Sequence, residues 1–404
     1  MKYKYLIIGN SSTFDTSLHY LLNLKKDNND IEILFCTGNK NQIINKGSYI
    51  ENFLITNNFD CYELSDFFKI KKLKFVWKKI FSNNKFNYYK KNNNFLKYFP
   101  TSFLNFLENF LGELFLSDKK INIFFKNTDY LLIDFRHKYE SFGKKKLENI
   151  IKNNDLKNIF LLPHACHYTR PFDEFKGIES KKGITIPLHK ATFWLPMHYD
   201  ELNNYKKFNY QILGYPEINN CIQNPINYKS NNSILILVRN FKIDNSTTNN
   251  DSFVYEKKEN LIYFNFYLNM KKKYFSDKKF IFKLHPKISE DLFIEFIDNI
   301  WPDKNYKIVY DSIFGYLDDI FLSISTYSTL NVVTISKKIP TIIINCRFHQ
   351  YVNKWLLMSK IYKQFNFFSN DLNTCETNIN YILNNDISKQ LNSDINLVKK
   401  VWLT

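Results

Sequence analysis

Short apolar runs alternate with longer helix-patterned stretches along this chain, and that alternation limits the folds open to it. YLIIG (5–9) is followed by SLHYLLNLKK (17–26) and IEILFC (31–36); YLLIDF (130–135), KKLENIIKNN (145–154) and NIFLLPH (158–164) repeat the pattern, and QILGYP (211–216) closes it. A second series then runs SILILV (233–238), FIFKLH (280–285), KIVY (307–310), IFLSIS (320–325) and TIIINC (341–346), with helical stretches near 256–273, 289–299 and 329–337. Continuous apolar runs of this length suit strands buried on both faces, and helices between them bring the chain back to the same sheet. The prediction is α/β: two Rossmann-like domains, each a parallel sheet covered by helices. A length of 404 residues agrees, because single cores stop growing well short of it.

The composition break falls at CIQNPINYKSNN (221–232), an Asn/Pro-rich stretch. The expected division is residues 1–216, a linker at 217–232, a second domain over 233–375, and a helical segment over 376–404 packing back toward the first domain. In doubly wound sheets ligands bind outside the carboxyl ends of the strands, so chemistry is sought just past each strand.

Several function classes fall away. The first strand ends in Gly9-Asn10-Ser11-Ser12-Thr13 with no GxGxxG, and the chain holds only nine glycines. Without them a dinucleotide pyrophosphate cannot approach the backbone closely, which argues against NAD and FAD. Ser11–Thr13 read first as a helix N-cap. The six cysteines are scattered, with neither a CxxC pair nor zinc-like spacing, as in a reducing cytoplasm. The N-terminus reads as a first strand rather than a secretion signal, and no stretch approaches the ~18 apolar residues of a membrane span. The expected location is cytoplasmic, with peripheral attachment at the inner face of the plasma membrane left open.

A net charge of +17, from 56 basic and 39 acidic residues, favours anionic partners. The basic residues are spread along the chain and no nucleic-acid recognition motif appears, so no specific nucleic acid is expected. Segment 66–116 is the exception in density: it interleaves lysines with large aromatics, as an element lying on an anionic membrane surface does.

Two strand ends carry the chemistry. At FIFKLHPK (280–287) the chain delivers Lys283 and His285, two apart and therefore on one face, and Pro286 then ends the ladder because it has no N–H to donate. After the strand ending at Ser325 come Thr326, Ser328 and Thr329, so four hydroxyls stand between a strand and a helix start. Free N–H groups and the positive dipole end make such a junction a place for phosphate. Arg239, just past SILILV, would add a third cation on the same rim. In the first half, His164 and His167 of LLPHACHYTR and Asp134 at the end of YLLID are the candidates for a base. Asp318-Asp319 falls in a helix before the hydroxyl-rich strand, and no metal or other cofactor is expected.

Lys-x-His-Pro after a strand, a Ser-x-x-Ser-Thr cradle some forty residues on, and a strand opening on Ile-Pro-Thr together resemble the C-terminal half of GT-B glycosyltransferases of bacterial surface polysaccharide synthesis. The pattern is most similar to bacterial sialyltransferases, capsule Kdo transferases and CDP-glycerol glycerophosphotransferases, over about residues 210–346. The resemblance implies a nucleotide-sugar domain at 233–375 facing an acceptor domain at 1–216 across a cleft. His285, Ser325, Ser328 and Thr329 would hold the phosphate of a CMP- or CDP-activated donor, with Lys283 and Arg239 beside them. It implies that His164 lies toward the acceptor, which would be a glycan or a lipid-linked glycan. Two departures stand out. The acidic motif that supplies the base in the sialyltransferases is absent, with Asp134 the nearest substitute. Where many such enzymes place a glutamate against the ribose, this chain has Asn331, Val332 and Val333. A UDP-sugar 2-epimerase shares the architecture and is the alternative enzyme; a basic nucleic-acid-binding protein is the non-enzymatic one.

Overall fold

The computed structural model describes residues 1–7, 17–36, 48–80, 110–134, 158–162, 190–193, 210–212, 216–238, 257–285, 290–301, 303–310, 312–345 and 361–403, with a few single positions between them. The chain forms two compact units, Met1–Pro216 and Glu217–Thr404.

The first unit is built on seven strands: β1 (Lys2–Ile7), β2 (Asp30–Phe35), β3 (Asp60–Glu63), β4 (Tyr130–Asp134), β5 (Ile159–Leu162), β6 (Lys190–Phe193) and β7 (Tyr210–Ile212). Their order is β3-β2-β1-β4-β5-β6-β7 and every pairing is parallel. Alternate residues of β1 feed two different cores. Tyr3, Tyr5 and Ile7 pack with helices Leu18–Lys26 and Tyr49–Thr56, whereas Leu6 packs on the other face with Ile121, Phe124 and Phe125 of helix Asp118–Phe125. Lys4 shares that second face. It is sealed from solvent, its ammonium meets the Glu32 carboxylate and lies 4.0 Å from the Phe124 ring centroid, and burial lowers its pKa to about 8.

The second unit holds β8 (Ser233–Val238), β9 (Lys279–Leu284), β10 (Tyr306–Val309), β11 (Ile320–Ser325), β12 (Thr341–Ile344) and β13 (Phe368–Ser369). The order is β10-β9-β8-β11-β12-β13, again all parallel. The strand order therefore reverses between β8 and β11, and a crevice opens at such a switch point in a doubly wound sheet. The pleat sorts the side chains. Ile234, Ile236, Phe280, Phe282, Leu284, Leu322 and Ile324 enter one core with Phe264, Phe293 and Trp301. Odd-numbered neighbours, Lys283 and Ser325 among them, stand on the opposite face.

The stretch 217–232, expected to be a linker, is largely folded. Helix Pro216–Gln223 has proline in its first turn, where no N–H is missed, followed by acidic Glu217. Ile218 and Cys221, three apart, are both buried, so an Asn-rich composition conceals an amphipathic helix. A turn of 3-10 helix follows at Tyr228–Ser230. The C-terminal helices Leu372–Asn384 and Ser388–Val398 belong to the second unit, where Ser388–Val398 packs on helix Leu330–Ser336. Among the described residues no helix is long and apolar enough to cross a membrane.

Candidate functional site

The candidate site is the carboxyl end of β8, β9 and β11, the three strands flanking the switch point. Register places its members. Leu237 of β8 lies opposite Lys283 of β9 on one side and Ser325 of β11 on the other. Lys283 and Ser325 thus share a face and a row, two strand spacings apart, or about 10 Å.

Lys283 is buried at 9% exposure. Its ammonium donates to the carbonyls of Leu284 (3.1 Å) and Tyr310 (3.2 Å) at the ends of β9 and β10. Carbonyl dipoles are partners that offset part of the cost of burying a lysine's charge. Its charge therefore lies within the rim of the sheet. His285 is the first residue beyond β9 and is half-buried. Its N–H donates to the Val238 carbonyl (3.1 Å), which continues the β8–β9 ladder one residue past the strand, and its own carbonyl accepts from the Ile288 N–H (2.9 Å). These two bonds fix the backbone that carries the imidazole.

The hydroxyl-rich turn divides into two pairs. Ser325 and Thr326 are buried. The Ser325 hydroxyl has two acceptors within reach of its one proton, the Asn331 side-chain oxygen and the Thr326 carbonyl (2.8 Å), while the Asn331 amide donates to the same carbonyl (2.9 Å). Ser328 and Thr329 are half-exposed. The Ser328 hydroxyl accepts from the Leu330 N–H (3.3 Å), and Thr329 sits at the N-cap of helix Leu330–Ser336 without a side-chain capping bond. The sequence pattern treats the four hydroxyls as equivalent. The fold uses Ser325 to lock the turn and leaves Ser328 and Thr329 at its surface.

Three residues to which the motifs give no binding role complete this support. Asn331 is wholly buried and bridges the turn. Tyr362 donates to the Ser328 carbonyl (2.7 Å), and buried Tyr327 donates to the Asn345 side-chain oxygen (2.8 Å) at the end of β12. One signal was available: Asn331 is a polar side chain in a helix, LNVVTIS, whose other members through Ser336 are buried after Leu330. Asp318 and Asp319 lie in a 3-10 turn, Leu317–Asp319, where Lys337 pairs with Asp318 (3.3 Å) and the Ser233 hydroxyl donates to Asp319.

Of the remaining candidates, Arg239, His164, His167 and Ser11–Thr13 lie outside the described residues. Asp134 ends β4 in register with Leu162 of β5, the last residue of the strand that precedes His164.

No protein-family profile matches the chain, and no curated protein matches it in sequence. Solved structures match it in fold. The UDP-GlcNAc 2-epimerase of Neisseria meningitidis, solved with UDP-GlcNAc, superposes with a TM-score of 0.52 at 9% identity, over 98% of this chain and 94% of its own. The S. aureus MnaA–UDP structure gives 0.51 at 9% identity, over 98% and 91%. UGT2 of Phytolacca americana, complexed with UDP-2fluoro-glucose and pterostilbene, gives 0.50 at 8%, over 99% and 94%. At such identities the likeness is one of fold. The chain has the GT-B fold of two parallel-sheet α/β domains.

Proposed function

We propose that this protein is a glycosyltransferase that moves a sugar from a CMP- or CDP-activated donor to a surface-polysaccharide acceptor, a glycan or a lipid-linked glycan, at the cytoplasmic face of the membrane. One observation carries the reading: in a doubly wound second sheet, Lys283, His285 and the turn bearing Ser328 and Thr329 stand together at the carboxyl ends of strands flanking the switch point. That is where such sheets bind nucleotides, and the groups present suit a phosphate.

In this reading the acceptor hydroxyl oxygen attacks the anomeric carbon as the bond from that carbon to the donor phosphate oxygen breaks. The proton passes to a base, His164 by preference, with Asp134 or His167 as its replacement. Negative charge grows on the departing nucleotide. His285 and the Ser328 and Thr329 hydroxyls donate to it, with Arg239 beside them, and the Lys283 charge lies beneath. Such preorganised donors are the usual electrostatic contribution to transfer. No metal enters the scheme.

A melting-temperature screen against CMP, CDP, UDP and GDP tests the donor class, because a ligand that binds only the native state raises the transition. A cytidine nucleotide giving the largest rise supports the proposal; UDP doing so replaces the donor. The second reading is a UDP-sugar 2-epimerase, favoured by the superposition on the Neisseria meningitidis UDP-GlcNAc 2-epimerase solved with UDP-GlcNAc. Incubation with UDP-GlcNAc and no acceptor separates the two, since an epimerase yields the 2-epimer there and a transferase yields none.

A further inference from the structure

The segment flanking residue 68 belongs to the first unit and has a surface of its own. A backbone clamp builds it: the Lys69 N–H donates to the Phe115 carbonyl and the Ser117 N–H to the Phe67 carbonyl (2.9 Å each), with Phe68 bridged to Leu116. The start of helix Lys71–Ile80 and the helical residues 110–115 are thereby drawn side by side. Inward, Phe67, Phe68 and Leu116 are buried, with Leu73 packed on them. Outward, large apolar side chains meet solvent: Phe75 is 76% exposed, Ile70 58%, Phe110 52% and Leu114 49%.

Lysines share this surface. Lys69, Lys71 and Lys72 are exposed and make no ion pair among the described residues. Phe75 falls one turn after Lys71, on the same side of the helix. The acids of the preceding turn are already matched, because Lys74 pairs with Asp66 and lies 3.9 Å from Glu63. Glu113 and Asp118 flank the surface, and Asp118 occupies the first turn of its helix, where the dipole favours it.

We infer that this face docks on an anionic lipid bilayer, with Ile70, Phe75, Phe110 and Leu114 entering the interface and the lysines against the headgroups. The charge supplies the commitment. Uncompensated lysines beside protruding apolar side chains complement a negative surface with an apolar layer a few ångströms beneath it. A nucleic acid would use the charge, but Ile70 and Leu114 have no aromatic face on which a base could stack. The inference stands apart from the transferase reading, since no residue of the nucleotide site belongs to it.

The test is sedimentation of the full-length protein with phosphatidylcholine vesicles, with and without phosphatidylglycerol. The expected result is pelleting with the anionic vesicles alone, fading as salt rises, because attraction is screened within about 10 Å at 0.1 M. A lysine near an anionic surface contributes roughly fivefold to partitioning, so K71E with K72E should lower it at least tenfold. F75S with L114S should lower it too, while both double variants keep the parent melting temperature and nucleotide binding. Equal pelleting with neutral vesicles, no pelleting, or full pelleting of both variants would overturn the inference. So would an oligonucleotide captured through the same lysines without vesicle binding, which marks a nucleic-acid surface. A dimer dissolved by F75S without vesicle binding would instead mark a contact between copies.

Discussion

At the scale of single residues, His285 is the decisive side chain and its test separates two roles. If it donates to the donor phosphate, His285→Ala should weaken CMP or CDP binding by roughly ten- to a hundredfold, since a hydrogen bond to a charged group contributes about 1.5–3 kcal/mol. Cytidine, lacking the phosphate, should bind the variant and the parent alike in titration calorimetry. A loss of melting temperature with unchanged nucleotide affinity would make His285 a strand cap, which its half-buried place beside Val238 also allows. Asn331 calls for the opposite outcome. Its amide accepts from Ser325 and donates to Thr326 in a fully buried turn, so Asn331→Ala removes both bonds and should cost about 1–3 kcal/mol in denaturant unfolding. Val332 and Val333 beside it are buried too. The sequence marked where His285 and the hydroxyls sit, because position past a strand end follows from apolar patterning. It did not mark that Ser325 turns inward. That depends on Asn331, six residues on, and a partner across a turn is set by the fold of the turn.

At the scale of elements, the strands read correctly are those with long apolar runs, β1, β2, β4, β5 and β7 through β12. Those not read are β3 (DCYE), β6 (KATF) and β13 (FS). Each is too short to show a period, and β3 and β13 are sheet edges where one side needs no strand partner. The helix Pro216–Gln223 was hidden for a related reason: two buried apolar residues suffice to seat it, and its asparagines face elsewhere. The C-terminal helix Ser388–Val398 carries a testable device. Asp394 is buried, and one of its carboxylate oxygens accepts from the Asn366 N–H (3.0 Å) and the Asn366 side-chain amide (2.7 Å). Desolvation outweighs those bonds and raises its pKa to about 6. A raised carboxyl pKa means the folded state prefers the proton. Its contribution is therefore fully present below the unfolded value near 4 and is lost as pH rises through about 6. Asp394→Asn keeps the accepting oxygen and removes the charge. It should stabilise the protein by about 1–3 kcal/mol at pH 8 and by progressively less toward pH 4, read from melting temperatures across that range. A gain independent of pH would show that Asp394 does not titrate there.

At the scale of the whole molecule, each unit has its own sheet and its own cores, and the candidate phosphate site is built from the second unit's strands. Ligand energy should then enter through one half of the chain. By linkage, a nucleotide at a hundred times its dissociation constant stabilises the state that binds it by about 2.7 kcal/mol. For a unit the size of Glu217–Thr404, each kcal/mol moves the transition by about 2–4 °C, so a rise of roughly 5–10 °C is expected in scanning calorimetry. The rise should fall on a single transition, the same one that Asn331→Ala lowers, because both act on the turn after β11. The transition assigned to Met1–Pro216 should stay in place, and His285→Ala should cut the nucleotide-induced rise to about half or less without shifting that first transition. Were nucleotide to raise only the transition that Asn331→Ala leaves untouched, the phosphate would be bound in the first unit. The strand ends of β8, β9 and β11 would then serve the fold alone.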